Sequence, residues 1–257
     1  MFESLLGRRR KLKIVHISDW HGQLTTLPSA DLYVVTGDMM TNFPLVKFQT
    51  AQHHGEIVTH DPFADPPVPR PAGHYVGRIL EPEREAIKQA QWCLSNPFRR
   101  ATGISDDAPV VVVKGNHDFI SLSDWINGDV WEATSDPTRF TNLFGLKIGG
   151  CRGINYIEGE WDDEIDLATF NDRTDKLPDD LDILITHSPP FGIQDVGRDR
   201  TNWGSGAIAH YLNSRCYSNL EMPKAHFFGH VHEDFGQRKL GGTTYSNAAT
   251  GIQIVEL

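Results

Sequence analysis

Val110-Val111-Val112-Val113-Lys114-Gly115-Asn116-His117-Asp118 joins an apolar run to a polar cluster without a break. Four β-branched residues are stiff at χ1 and fit a pleated strand, and the run is too short for an independent helix. It reads as a buried strand, Val110 to Lys114, whose tip carries an amide, an imidazole and a carboxylate. The same event recurs along the chain. Short apolar runs at Leu12 to Ile17, Leu32 to Thr36, Ile183 to Thr186 and Ala225 to Phe228 each lead into polar residues. The clusters are Asp19-Trp20-His21, Gly37-Asp38, Thr186-His187 and Gly229-His230-Val231-His232.

Between these strands the pattern changes. Glu81-Pro82 gives a helix start, and Ala86, Ile87, Ala90 and Leu94 recur at helical spacing, so a helix is expected from Pro82 to about Leu94 with these residues on its apolar face. A second helix is expected to begin at Gly204-Ser205-Gly206. Phe140 to Ile157, apolar residues interrupted by four glycines, reads as a hairpin or meander, and Thr243 to Asn247 with Gly251 to Val255 reads as a closing strand pair. Strands and helices alternate early and strands cluster later, which points to an α/β sandwich of two packed sheets with helices outside. Residues 41–80, rich in proline and histidine, read as an irregular insertion. Its His53, His54, His60 and His74 are expected to be solvated loop residues rather than ligands.

Composition bounds the function. The 257 residues suit one domain with one substantial core. With 34 acidic against 24 basic residues, a formal charge of −10 repels nucleic-acid backbone and anionic membrane at long range. The basic run Arg8 to Lys11 reads as a solvated flank. The three cysteines, Cys93, Cys151 and Cys216, lack C-x-x-C spacing, which gives no thiolate zinc site or disulfide framework and suits a reducing cytoplasm. No apolar run approaches membrane-spanning length.

The polar clusters share one chemistry: carboxylate, imidazole and amide oxygen, without thiolate. That is the mixed donor set a divalent transition metal accepts, delivered from five places that a sheet can bring together. Asp-x-His and His-x-His put two donors on one side of an extended chain. Each cluster alone has a plainer reading as a turn, with Asp38 capping or Asn116 in a left-handed conformation. His16 and His226, inside apolar strands, read as hydrogen-bonded core residues. Gly204-Ser205-Gly206 is either a capping turn or a set of amides facing a phosphate. Trp203 and Phe191 either pack or stack on a nucleobase.

Taken in order, the five clusters resemble the calcineurin-like metallophosphoesterase superfamily, from Lys13 to Phe235. The segments Thr186-His-Ser-Pro-Pro-Phe-Gly192, Gly229-His-Val-His-Glu-Asp-Phe-Gly236 and Thr243 to Thr250 are similar to its small metallophosphoesterase-domain branch, related to class III cyclic nucleotide phosphodiesterases. The resemblance implies a four-layer αββα sandwich of two mixed sheets flanked by helices. It implies one metal on Asp19, His21, Asp38 and His232, and another on Asp38, Asn116, His187 and His230, with Asp38 shared. His117 then faces the scissile phosphate and Asp118 orients it. Two divalent ions are implied, manganese foremost, with iron, Zn²⁺, Co²⁺ or Ni²⁺ tolerated by the same donors. The implied reaction is hydrolysis of a nucleotide-like phosphodiester by a hydroxide held between the ions, the substrate being a small phosphate ester rather than nucleic acid or membrane. The alternatives are a phosphomonoesterase, a DNA-repair-type nuclease, or a non-catalytic nucleotide-binding scaffold. Many relatives carry an arginine shortly after the Gly-Asp motif; here Met39-Met-Thr-Asn-Phe43 follows.

Overall fold

The computed structural model describes residues 11–50 and 57–257. The basic residues Arg8, Arg9 and Arg10 and the histidines His53 and His54 lie outside them. In chain order the strands and helices are β1 Lys13–Ile17, β2 Leu32–Val35, β3 Leu45–Gln49, β4 Ile57–His60, β5 His74–Ile79, α1 Pro82–Ser95, α2 Phe98–Thr102, β6 Val110–Val113, α3 Leu122–Ile126 and β7 Val130–Ala133. They continue as β8 Phe140–Leu143, β9 Leu146–Cys151, β10 Ile154–Asn155, β11 Glu164–Ile165, α4 Leu167–Asp175, β12 Ile183–Thr186, α5 Gly206–Tyr217, β13 Ala225–Phe228, β14 Gly236–Leu240, β15 Thr243–Asn247 and β16 Ile252–Glu256.

Two large mixed sheets carry the fold, ordered β16-β1-β2-β6-β7 and β14-β15-β13-β12-β9-β8. Within the first, β1, β2, β6 and β7 run parallel and β16 is antiparallel. The second keeps β15, β13, β12 and β9 parallel, with antiparallel strands at both edges. Alternation along each strand separates the two faces. Ile14, Val34, Val111 and Val113 meet Ile148, Ile183, Ile185 and Phe227 between the sheets. Val15, Val35, Val110 and Val112 face outward onto Phe98, Leu122 and Trp125 of α2 and α3. On the far side Leu184 and Phe228 pack against Phe170 of α4 and Ile208 and Tyr211 of α5. Strands covered on both faces read as continuous apolar runs, which is why they were legible. The layers are helix, sheet, sheet, helix, as expected.

Three local expectations need correction. Residues 41–80 are not irregular throughout: β3, β4 and β5 form a three-stranded antiparallel sheet ordered β4-β3-β5. Leu45-Val-Lys-Phe48, Ile57-Val-Thr59 and Tyr75-Val76 supply the β-branched and aromatic residues, while the prolines stay outside the strands, Pro44 just before β3 and the rest in the connection before β5. The two C-terminal strands do not pair with each other. β15 lies between β13 and β14, whereas β16 crosses to cover the free edge of β1. In Phe140 to Ile157, β8 and β9 form the expected hairpin, turning at Phe144 and Gly145 with φ of 55° and 73°, a turn that matches strand twist. Beyond it, β10 pairs in parallel with β11 instead of continuing a meander.

The helix at Pro82 forms where expected but presents another face. Ile87 is 59% and Leu94 84% exposed, while Glu85 and Gln89 are fully buried. The polar pair wins because each side chain satisfies loop backbone that would otherwise be stranded. Gln89 Nε2 donates to the carbonyl of His117 at 2.7 Å and its Oε1 accepts from the N–H of Phe119 at 2.8 Å. Glu85 accepts from the N–H of Phe43 at 2.7 Å. Gln89→Leu is therefore expected to lower stability by about 1–3 kcal/mol through unpaired buried groups, and Leu94→Gln to change it by less than about 0.5 kcal/mol. Urea unfolding of both variants checks this, and the opposite ranking would restore the apolar face as the buried one.

Candidate metal centre

The parallel strands of both sheets end at one place. Asp19 and His21 follow β1, Asp38 follows β2, Asn116 and His117 follow β6, His187 follows β12, and His230 and His232 follow β13. Ligand atoms of Asp19, His21 and His232 lie within 4.8 Å of one another, as do those of Asp38, His187 and His230. A third group, His21, Asp38 and His117, links the two. Asn116 joins the second set, its Oδ1 being 3.2 Å from His187 Nε2. All seven residues expected as ligands thus converge from five strand tips.

Local backbone is strained to achieve this. Asp19, His21, Asp38 and His230 all have positive φ, at 57°, 44°, 53° and 69°. Non-glycine residues visit that region rarely, at a cost of order 1–3 kcal/mol each unless their surroundings enforce it. Four such residues among seven donors mark a site whose geometry is imposed. The loops also approach more closely than a side chain allows: a Cβ on Gly115 would lie 2.1 Å from Asp38 Oδ1, and one on Gly229 would lie 2.2 Å from Asp19 Oδ2.

Asp19 and Asp38 are each 2% exposed, and among the described residues no lysine or arginine pairs with either. Imidazoles and backbone N–H groups surround them instead. Asp38 Oδ2 lies 3.3 Å from His187 Nε2, and its Oδ1 accepts from the N–H of His117 at 2.8 Å. Asp19 Oδ1 lies 3.2 Å from His232 Nε2, and its Oδ2 accepts from the N–H of His230 at 2.9 Å. Burial works to raise both carboxyls, but His187 and His117 hold Asp38 well below its ordinary value, and His232 and His187 lower Asp19. Burial likewise works to lower His187, yet Asp38 and Asp19 lift it to about 10. His230, half-buried, is pushed down to about 4 by desolvation and by the neighbouring His187. The set suits divalent cations: anionic carboxylates and imidazoles that give up protons to a metal, with an amide oxygen and no thiolate.

Further residues fix the donors. His187 Nδ1 donates to the carbonyl of Thr36 at 2.6 Å, leaving Nε2 toward Asp38, the usual way a ligand imidazole is oriented. His16, expected as a core residue, is one: Nε2 lies 2.9 Å from Thr36 Oγ1 and Nδ1 2.9 Å from Ser246 Oγ, bridging the two sheets. His226 pairs with Thr186 Oγ1 at 2.9 Å. Neither joins a candidate metal group, nor do His60 and His74. Ser205 caps α5, its Oγ accepting from the N–H of Ile208, so Gly204-Ser205-Gly206 is a capping turn.

One expected role changes. Asp118 does not touch the His117 ring. Its buried carboxylate accepts from the N–H groups of Asp38 at 2.7 Å and of Met39, Met40 and Gly115 at 2.9 Å each, stapling the Gly-Asp loop to its own. Burial and Asp38 push it up to about 7 against the pull of those donors. Asn42 orients His117 instead: its Nδ2 donates to the His117 carbonyl at 3.3 Å, which turns Oδ1 toward His117 Nδ1, and the two are hydrogen-bonded. Trp161 lies against the other side of the imidazole, ring centroids 4.2 Å apart. The sequence reading missed Asn42, Gln89 and Trp161. Asn42 sits four residues past Asp38, in the stretch where the arginine was lacking, and Gln89 lies one helical turn after Glu85; Trp161, in an acidic loop, left no pattern.

Gly115→Ala is expected to cost about 1–3 kcal/mol by overpacking, and because the atom displaced is Asp38 Oδ1, bound metal should fall with it. Denaturant unfolding and elemental analysis together check this; wild-type values for both would show the loops to be looser than described.

Comparison with known proteins agrees with this site. Residues 12–234 match the family model described as calcineurin-like phosphoesterase. Human metallophosphoesterase domain-containing protein 1 is 35% identical over 166 residues, covering 54% of this chain and 49% of that protein. UPF0046 protein K07C11.7 of Caenorhabditis elegans is 29% identical over 154 residues, covering 54% of this chain and 51% of its own. The chain thus spans about half the length of these curated relatives. With the family model covering nearly all of the strands that bring donors to the centre, the chain belongs to the calcineurin-like phosphoesterase family.

Proposed function

We propose that the chain is a metal-dependent phosphodiesterase for small nucleotide-like diesters. The observation that carries the reading is the set of donor groups meeting around Asp38, deeply buried and, among the described residues, without a lysine or arginine partner. Asp19, His21, Asp38 and His232 would hold one divalent cation and Asp38, Asn116, His187 and His230 the other, manganese being our first choice. Bound there, the cations supply Lewis acidity that neutralises phosphoryl charge and makes water acidic near neutral pH.

The chain's own residues supply the rest. Asn42 accepts from His117 Nδ1–H, so the neutral ring keeps its lone pair at Nε2, 3.8 Å from Asp38 Oδ2 and facing the centre. Protonated at Nε2, His117 can hold a phosphoryl oxygen and give that proton to the departing alkoxide, a transfer eased because burial lowers its pKa. Beside His230 a cavity of about 350 Å³ is lined by Trp203 and Arg198. Trp203 is 40% exposed there, a platform on which a nucleobase can stack. This cavity favours a nucleotide over an unadorned phosphate.

His117→Ala should lower turnover of bis(p-nitrophenyl) phosphate by about 10²–10⁴-fold while metal content stays near that of the wild type. Asp38→Ala should lose both, since Asp38 is the donor assigned to both cations and its oxygens lie near His187 on one side and His21 and His117 on the other. Elemental analysis beside kinetics decides; equal loss of metal in the two variants would reject the division of roles.

A further inference from the structure

We propose that the small β4-β3-β5 sheet forms a second anion site, one that receives a distal phosphate of the substrate beyond the wall made by Asn42. This rests on the phosphodiesterase reading for its link to catalysis. The site itself stands on its own geometry.

A cavity of about 460 Å³ opens on one face of this sheet, lined by Asn42, Phe48, His60, Arg70, Tyr75 and Arg78 among others. Alternation places Val46 and Phe48 of β3 on the same face, and His60 of β4 pairs across from Val46. Tyr75 and Arg78 of β5 are three residues apart, so an unbroken strand would turn them to opposite faces. A β-bulge prevents this. The register slips between Lys47 and Phe48, so that Tyr75 stands opposite Phe48 and Arg78 opposite Val46, with Gly77 at φ +152° taking up the bend. The irregularity therefore has a product: an aromatic ring and a guanidinium on one face.

The polar groups there are unspent. Among the described residues, neither Arg70, Arg78 nor His60 has a side-chain hydrogen bond or ion pair. His60 is 7% exposed, and its ring lines the cavity. Asp61 beside it is already taken by Arg84 at 2.5 Å and Lys88 at 3.8 Å. In a chain of formal charge −10, two unpaired guanidinium groups around one cavity form a local positive site, with the His60 imidazole beside them. Guanidinium forks match phosphate oxygens, and Phe48 and Tyr75, ring centroids 6.3 Å apart, offer apolar faces for a ring beside it.

Asn42 ties this cavity to the chemistry, because the side chain that lines it also holds His117. A ligand whose scissile phosphate faces His117 can pass Asn42 and leave its next phosphate with Arg70 and Arg78. The ligand class is a diester bearing a second, terminal phosphate one nucleoside away.

The test uses manganese-loaded protein and thymidine dinucleotides with a hydrolysis-resistant phosphorothioate linkage, with and without a 5′-terminal phosphate. Calorimetry should show the 5′-phosphorylated ligand binding at least about tenfold tighter, as expected for charge-assisted hydrogen bonds. The double variant Arg70→Ala/Arg78→Ala should bring the two affinities together and leave turnover of bis(p-nitrophenyl) phosphate unchanged, that ester having no second anion. Equal affinities in the wild type, or an advantage that survives in the variant, would overturn the second site. Absence of bis(p-nitrophenyl) phosphate turnover with a preserved binding advantage would sink the catalytic reading alone.

Discussion

Three carboxylates, Asp19, Asp38 and Asp118, are buried near one another, and among the described residues no lysine or arginine pairs with them. Removing charge from water without compensation costs several kcal/mol per ion, so the rest of the structure is arranged around the answer to that cost. Asp118 is compensated by four backbone N–H groups and so fixes the loops. Asp19 and Asp38 are left facing His21, His187, His230 and His232, a combination whose protons a pair of divalent cations can replace.

The two-sheet sandwich follows from the same demand. Donors on strand tips need strands that end together, and parallel strands buried on both faces do so with little freedom. Polar ties run between the sheets at that end: His16 reaches Ser246 and Thr36, and His187 reaches the Thr36 carbonyl. Positive φ at Asp19, His21, Asp38 and His230 is the strain that such a scaffold can sustain. Beside this core, Gln89 of α1 and Asn42 hold the His117 loop and ring, and the β4-β3-β5 sheet shapes the adjoining cavity.

Legibility in the sequence tracked burial. β12 and β13 fall at the expected residues, and β1, β2 and β6 to within one, because a strand covered on both faces must be apolar throughout. All seven expected donors meet, since carboxylate and imidazole at consecutive strand ends have few other uses together. Features decided by polar satisfaction were not legible. The apolar repeat Ala86, Ile87, Ala90 and Leu94 named the wrong face of α1, because Glu85 and Gln89 gained more from loop backbone than Ile87 and Leu94 gain from burial. Partners in space were equally hidden: β15 and β16, four residues apart, belong to different sheets. Asn42 takes the orienting role expected of Asp118 for the same reason, since a hydrogen-bond partner 75 residues away leaves no local pattern.

Anomalous scattering from crystals grown with manganese tests the shared carboxylate most directly. The account predicts two peaks, one toward Asp19, His21 and His232 and one toward Asn116, His187 and His230, with Asp38 a ligand of both. A single ion, or two ions of which only one touches Asp38, would contradict it.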